Sequence, residues 1–256
     1  MAEQSQRQFS PQEKTHLARY GSKINQSSTT TDPVEYLTGI AEFCDFTLAV
    51  NQSVLIPRIE TEELVELVLT NIKERLAQTS EKLSVLEVGI GSGAITIALA
   101  KMLQPKWSYV EFVATDISPS ALELAQKNVT TVLGDAAPIA FVKSDLLENI
   151  SSGQKFDIVI ANLPYIPSER IPTLDESVRD HEPLLALDGG PDGFVLIRRL
   201  LDMTSSILKQ NAVIFLEIDH THTAKNFEPY SKLRWQIELT ADQAGQIRFA
   251  QLSPPV

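Results

Sequence analysis

The chain has a single cysteine, Cys44, among 256 residues. One thiol excludes an intramolecular disulfide and any zinc site built from several thiolates. Histidine is also scarce. His16, His181, His220 and His222 are scattered, and His220 with His222 is too little for a metal site without further ligands. No metal is expected. Basic residues are outnumbered, with 22 Lys plus Arg against 33 Asp plus Glu and a net charge of -11. That balance opposes a broad basic surface and makes nucleic acid a poor main partner. No stretch reaches the roughly 18 consecutive apolar residues that a membrane span needs. Met1 to Pro11 is polar and lacks the apolar core of a secretory signal. The expectation is a protein of a reducing cytoplasm that does not engage a membrane. Repeats with a period of roughly 20 to 50 residues, the mark of solenoids and propellers, are missing too.

The length suits one full domain with a small appendage. Residues 1 to 33 are rich in Gln, Ser and Thr, with a short helix near Pro11 to Tyr20 and a Ser27 to Thr31 tract behind it. They are expected to form a polar, weakly ordered arm. Residues 34 to 80 read as a lead-in. Tyr36-Leu37 and Phe43 to Val50 predict a strand pair, and Leu64, Leu67, Val68 and Ile72 predict an amphipathic helix. From 81 to 256 strands and helices alternate: strand 84–88, helix 94–103, strand 110–115, helix 120–128, strand 140–143, strand 156–161. Ser118 and Pro119 mark a helix start. A helix over 194–209, with Phe194, Ile197, Leu201, Thr204 and Leu208 on one face, is followed by a strand over 212–218. Residues 234–239 and 246–252 close the chain as an antiparallel pair around Asp242 to Gly245. Such alternation predicts an α/β fold with a mostly parallel sheet covered on both faces.

Two strings carry chemistry. In the first, Glu87-Val88-Gly89-Ile90-Gly91-Ser92-Gly93 places glycines where a strand turns into a helix, so that backbone can approach a ligand. Gly89, Gly91 and Ala94 also satisfy a loose dinucleotide fingerprint, so this string alone does not choose between NAD and S-adenosylmethionine. Asp116 ends the next strand, where a carboxylate can take both ribose hydroxyls, with Ile117 beside it. Asp145, followed by Leu146, is placed to reach an adenine amino group. In the second string, Asn162-Leu163-Pro164-Tyr165 ends the apolar run 156–161. It reads as a clamp for an amide or aromatic amine nitrogen. Such a nitrogen is a poor nucleophile and must be held in line with an electrophile. An Asn oxygen and a backbone carbonyl can accept its two N–H bonds, while proline fixes the turn and tyrosine covers the planar group. A dehydrogenase has no use for this clamp, so it favours the methyl donor.

Several separated segments resemble one family. They are Tyr36-Leu37-Thr38-Gly39 with Glu42-Phe43, Val54-Leu55-Ile56-Pro57-Arg58-Ile59-Glu60-Thr61-Glu62, the Gly-rich turn, Asp116, the Asn162 string, Glu182-Pro183, Ala186 to Gly193, and Asp242 to Arg248. Together they resemble the HemK/PrmC family of glutamine N5-methyltransferases that act on translation release factors. The resemblance implies a Rossmann-like class I methyltransferase fold with a seven-stranded sheet. It implies S-adenosylmethionine held by Glu87, Gly89, Ile90, Gly91, Ser92, Gly93, Asp116, Ile117, Asp145, Leu146 and Asn162. It also implies a protein glutamine held by Asn162, Leu163, Pro164 and Tyr165, of which Asn162, Pro164 and Tyr165 would be catalytic.

The sequence departs from the family pattern at four places. Leu163 stands where proline is usual, a form shared with rRNA adenine dimethyltransferases. Leu146 replaces an aromatic, the late Glu-x-Gly-x-x-Gln string reads Glu217 to His222, and the stretch before Tyr36 is shorter than the usual helical N-terminal domain. The reading that follows is direct methyl transfer without metal, covalent intermediate or obligatory general base. Two other readings remain open at this level: an adenine N6-methyltransferase on RNA or DNA, and a non-catalytic adaptor that binds the cofactor and a partner.

Overall fold

A computed structural model describes residues 8–21 and 31–255. In chain order the elements are α1 (Pro11–Tyr20), α2 (Val34–Thr38), β1 (Ile40–Phe43), β2 (Phe46–Ala49), α3 (Ile59–Gln78), β3 (Leu83–Val88), α4 (Ala94–Met102), β4 (Val110–Asp116), α5 (Pro119–Leu133) and β5 (Ile139–Lys143). They continue with β6 (Phe156–Ala161), α6 (Glu176–Arg179), α7 (Val195–Thr204), β7 (Leu208–Glu217), α8 (Glu228–Lys232), β8 (Gln236–Ala241) and β9 (Ile247–Ser253). Strands β3 to β9 form a seven-stranded sheet of order β5-β4-β3-β6-β7-β9-β8. The pairs among β3, β4, β5, β6 and β7 are parallel, and β9 runs antiparallel to both β7 and β8.

Every residue of β3 is buried, as a central parallel strand covered on both faces requires. Its alternate residues enter two separate cores. Val85 packs with Ile158, Ile160, Val213 and Phe215 against Leu64, Val68 and Ile72 of α3 and Ile97 of α4. Leu86 and Val88 pack with Val159, Ile214 and Leu216 against Ile197, Leu200 and Leu201 of α7. This two-sided burial is the α/β architecture read from the sequence.

Three boundaries differ from the sequence reading. Tyr36 and Leu37 lie in α2, not in a strand, and the antiparallel pair is β1 with β2. Gly39, at φ 73°, ends α2, and the tight turn between the strands puts Cys44 and Asp45 at φ 46° and 60°. Helix α5 starts as expected, with Ser118 Oγ accepting from Ala121 N, but continues to Leu133. Its last turn holds because Val129 is buried and Val132 and Leu133 pack on the core, which outweighs the low helix propensity of Val and Thr. Helix α7 stops at Thr204 instead of running to Lys209. The Ile207 carbonyl accepts from Phe156 N at 2.8 Å, so Leu208 starts β7 beside β6. Leu208 suits either element by periodicity, and the sheet partner decides.

Within the polar arm, α1 has a capping box between Ser10 and Glu13. Leu17 packs with Phe9 and Val34, and His16 Nε2 lies 2.8 Å from Thr38 Oγ1. The Ser27 to Thr31 tract lies outside the described residues except for Thr31. Among the described residues no helix is long and apolar enough to cross a membrane.

Candidate active site

The strand order reverses between β3 and β6, so the loops leaving these strands diverge and open a crevice at their C-terminal ends, the usual ligand position in open α/β sheets. A cavity of about 280 Å³ fills that crevice. Gly89, Gly91, Asp116, Ile117, Asp145, Leu146, Asn162, Leu163 and Pro164 line it. Residues far apart in sequence are thus gathered around one cavity.

The Gly-rich turn is held by β4. Gly89 N and Ile90 N both donate to Thr115 O at 2.9 Å, and Gly91 N donates to Asp116 Oδ2 at 2.9 Å. The other Asp116 oxygen accepts from Ser118 N at 2.9 Å. Burial raises the Asp116 pKa above the ordinary aspartate value, against the Ser118 and Gly91 N–H groups that favour the charge. Gly89 and Gly91 have φ of 79° and 54°, left-handed conformations that bring backbone to the cavity. A Cβ at Gly91 would meet nothing within 4 Å, so the turn faces open space.

Four other residues of the expected cofactor set sit behind this wall. Glu87 is 2% exposed, and its Oε2 accepts from Thr96 N at 3.0 Å and from the Thr96 hydroxyl. Burial pushes its pKa up to about 8. The Ser92 carbonyl accepts from Asn128 Nδ2, whose side chain also bonds Ala49 N and O and so joins the turn to β2. Ile90 packs with Ala114, Leu122 and Ala125, and a Cβ at Gly93 would lie 2.9 Å from Ile97. These four shape the turn. Asp145 and Leu146 do reach the cavity, where Asp145 Oδ2 takes Arg199 at 3.1 Å and Leu146 is held at φ 50°.

In the second string, Asn162 Nδ2 donates to Thr61 Oγ1 at 3.2 Å. Leu163 is buried and lies against Gly89, where a Cβ would come within 3.1 Å of its side chain. The Tyr165 hydroxyl donates to Glu217 Oε1 at 2.9 Å. The second Glu217 oxygen accepts from the Thr61 hydroxyl at 2.7 Å. Glu217 is 1% exposed, and burial raises its pKa against those two donors and the charge of Arg248.

The segment 187–193 braces the Asn162 loop. Ile166 N donates to Leu187 O, Gly189 N to Ile166 O and Ser168 N to Gly190 O. The brace is anchored in turn by His222, which accepts from Asp219 N at Nδ1 and lies 3.2 Å from the Asp192 carbonyl at Nε2.

Sequence reasoning missed part of the wall: Val54, Leu55, Pro183, Leu185, Leu196 and Arg199 also face the cavity. Val54 and Leu55 are set there by the buried Glu182, which accepts from Ile56 N at 3.3 Å and from Arg58 Nη2 at 2.6 Å. The available signal was the pair of strings around Arg58 and Glu182, whose opposite charges are 124 positions apart. Among the described residues no group of three His, Cys, Asp or Glu side chains is gathered for a metal ion.

A family profile described as a methyltransferase domain matches residues 85–181. The structure is similar to that of magnesium protoporphyrin IX methyltransferase from Synechocystis PCC 6803, with TM-score 0.51 and 16% identity over 77% of this chain and 84% of that one. That likeness concerns the fold. Strand order, glycine turn and crevice define a Rossmann-like class I methyltransferase domain. A release factor glutamine methyltransferase of Moorella thermoacetica is 44% identical over 186 residues, 73% of this chain and 62% of that protein. Another, from Streptococcus pneumoniae, is 41% identical over 228 residues, 88% of this chain and 76% of that protein. The chain belongs to the release factor glutamine methyltransferase family. It spans less than two thirds of the length of the Moorella relative.

Proposed function

We propose that this chain transfers a methyl group from S-adenosylmethionine to the side-chain amide nitrogen of a protein glutamine, the acceptor being the Gly-Gly-Gln loop of a translation release factor. The observation that carries this reading is the meeting of two loops at one cavity: the glycine turn with Asp116, and Asn162 to Pro164. The wall suits the cofactor. Gly91 offers open backbone, Asp116 a carboxylate, and Leu146, Leu163 and Val54 an apolar surround. When bound, S-adenosylmethionine supplies an electrophilic methyl on a sulfonium. Everything else falls to the chain. Gly89, Gly91 and Asp116 hold the donor, while the Asn162 oxygen and the Leu163 carbonyl accept the two N–H bonds of the acceptor and orient its nitrogen. The proton becomes acidic only after transfer, so no side chain has to remove it beforehand. Leu185, 62% exposed yet on the cavity wall, gives the mouth an apolar lip suited to a peptide loop.

The net charge of -11 opposes the nucleic-acid alternative. Protein incubated with methyl-labelled S-adenosylmethionine and either release factor or total RNA should label the factor, with mass spectrometry placing one methyl on the glutamine of its Gly-Gly-Gln loop. Label confined to adenine in RNA would replace this reading with the adenine methyltransferase. Absence of transfer to both, with cofactor bound, would favour the adaptor.

Asp116→Ala should weaken S-adenosylmethionine binding by roughly 1.5–3 kcal/mol, the value of hydrogen bonds to a charged group. The substitution removes a ribose acceptor and also frees the Gly91 N–H that orders the turn. Calorimetry with unchanged affinity in a folded variant would take Asp116 out of the site.

A further inference from the structure

Asn162 is useful as an acceptor only if its amide presents oxygen to the cavity, and an amide can rotate to present nitrogen instead. Its orientation therefore has to be set by a neighbour. The only side-chain partner recorded for it among the described residues is Thr61 Oγ1, reached by Asn162 Nδ2 at 3.2 Å. A threonine hydroxyl could in principle serve either end of an amide, since it both donates and accepts. Here its single proton is committed. Thr61 Oγ1 lies 2.7 Å from Glu217 Oε2, and a carboxylate can only accept. The hydroxyl is left with a lone pair for Asn162, which only the NH₂ end can use. Tyr165 occupies the other Glu217 oxygen at 2.9 Å and keeps the carboxylate from turning.

We propose that Thr61 and Glu217 are positioning residues for methyl transfer, forming a relay of hydrogen-bond polarity that turns the Asn162 oxygen toward the acceptor. The inference rests on the methyl-transfer reading given above. Thr61 and Glu217 are 4% and 1% exposed, so water cannot readily take over either partner. The relay also places the Glu60-Thr61 string beside the end of β7, two regions 156 positions apart in sequence.

The test compares Thr61→Val, which keeps shape and loses the hydroxyl, with Thr61→Ser, which keeps the hydroxyl and loses the methyl. Initial rates are measured on a Gly-Gly-Gln release factor, with cofactor affinity by calorimetry alongside. Thr61→Val should lower kcat by roughly 10- to 100-fold, as expected for a misoriented reacting group, with cofactor Kd within about threefold of wild type. Thr61→Ser should stay within about threefold of wild-type kcat. Should Thr61→Val not fold, Thr61→Ala takes its place under the same expectation. A hydroxyl-less variant with wild-type kcat would overturn the relay, and so would an equal loss in Thr61→Ser, which would make the methyl group's packing responsible. Wild-type protein that methylates no glutamine would instead defeat the underlying reading, so the two failures are distinguishable.

Discussion

Asn162→Ala should lower kcat for glutamine methylation by about two to three orders of magnitude, the scale seen when one preorganised polar group aimed at a developing charge is removed. The acceptor nitrogen gains positive charge as its lone pair is committed, and an oxygen fixed against its N–H bonds stabilises that charge without reorganising. Folding should change little. The Asn162 side chain is half-buried and bonds Thr61, whose own proton still goes to Glu217 after the substitution. A stability loss of about 1 kcal/mol is expected, the net worth of an ordinary hydrogen bond. Single-turnover rates and urea midpoints measured on the same preparation separate the two quantities. Turnover near wild type would remove Asn162 from the clamp, and global unfolding would assign it to the scaffold.

The second large effect belongs to a glycine that touches no ligand. A Cβ at Gly193 would collide with the Tyr165 carbonyl oxygen and lie 3.1 Å from both His222 Nε2 and Pro167 Cδ, at a φ of +68° that L side chains rarely adopt. The collision is with backbone, so the Asn162 loop itself must shift. Gly193→Ala should cost roughly 1–3 kcal/mol of stability, typical of strain at a special backbone position. It should also lower kcat by about 10²-fold, since a 1 Å displacement of a reacting group costs that much. Gly245→Ala is the control. Gly245 has φ +81° with nothing within 4 Å of its Cβ, so the substitution carries backbone strain without a collision and should leave kcat unchanged. Equal behaviour of the two variants would show that the close approach to Tyr165 is unimportant.

The reading of the sheet succeeded where strands are fully buried. Runs such as 84–88 and 156–161 are mostly apolar, with Ser84, Glu87 and Asp157 as the exceptions, and their length between turn residues suits a central strand. Helix ends were less legible. The stretch 204–209 satisfies helical spacing through Leu208, yet the Ile207 carbonyl completes a bond to Phe156 that sequence spacing does not reveal. Helix α5 extends past Asn128 for the opposite reason: burial of Val129 outweighs propensity.

The site divides along the same line. By itself the sequence determined the glycine turn, Asp116 and the Asn162 string, because each is a local element whose residues must be neighbours in the chain to act. Left-handed glycines, a strand-ending carboxylate and a proline turn need no distant partner to be recognised. Only the tertiary structure decided which way these groups face. The Tyr165 hydroxyl donates to Glu217, and Glu87 accepts from Thr96. Thr61, Glu217, Glu182 and Gly193 acquire their tasks from partners 28 to 156 positions away or from a backbone approach that only folding creates. The reason is physical: a hydrogen bond's direction depends on which proton is already committed elsewhere, and that is known only once the sheet has brought the partners together.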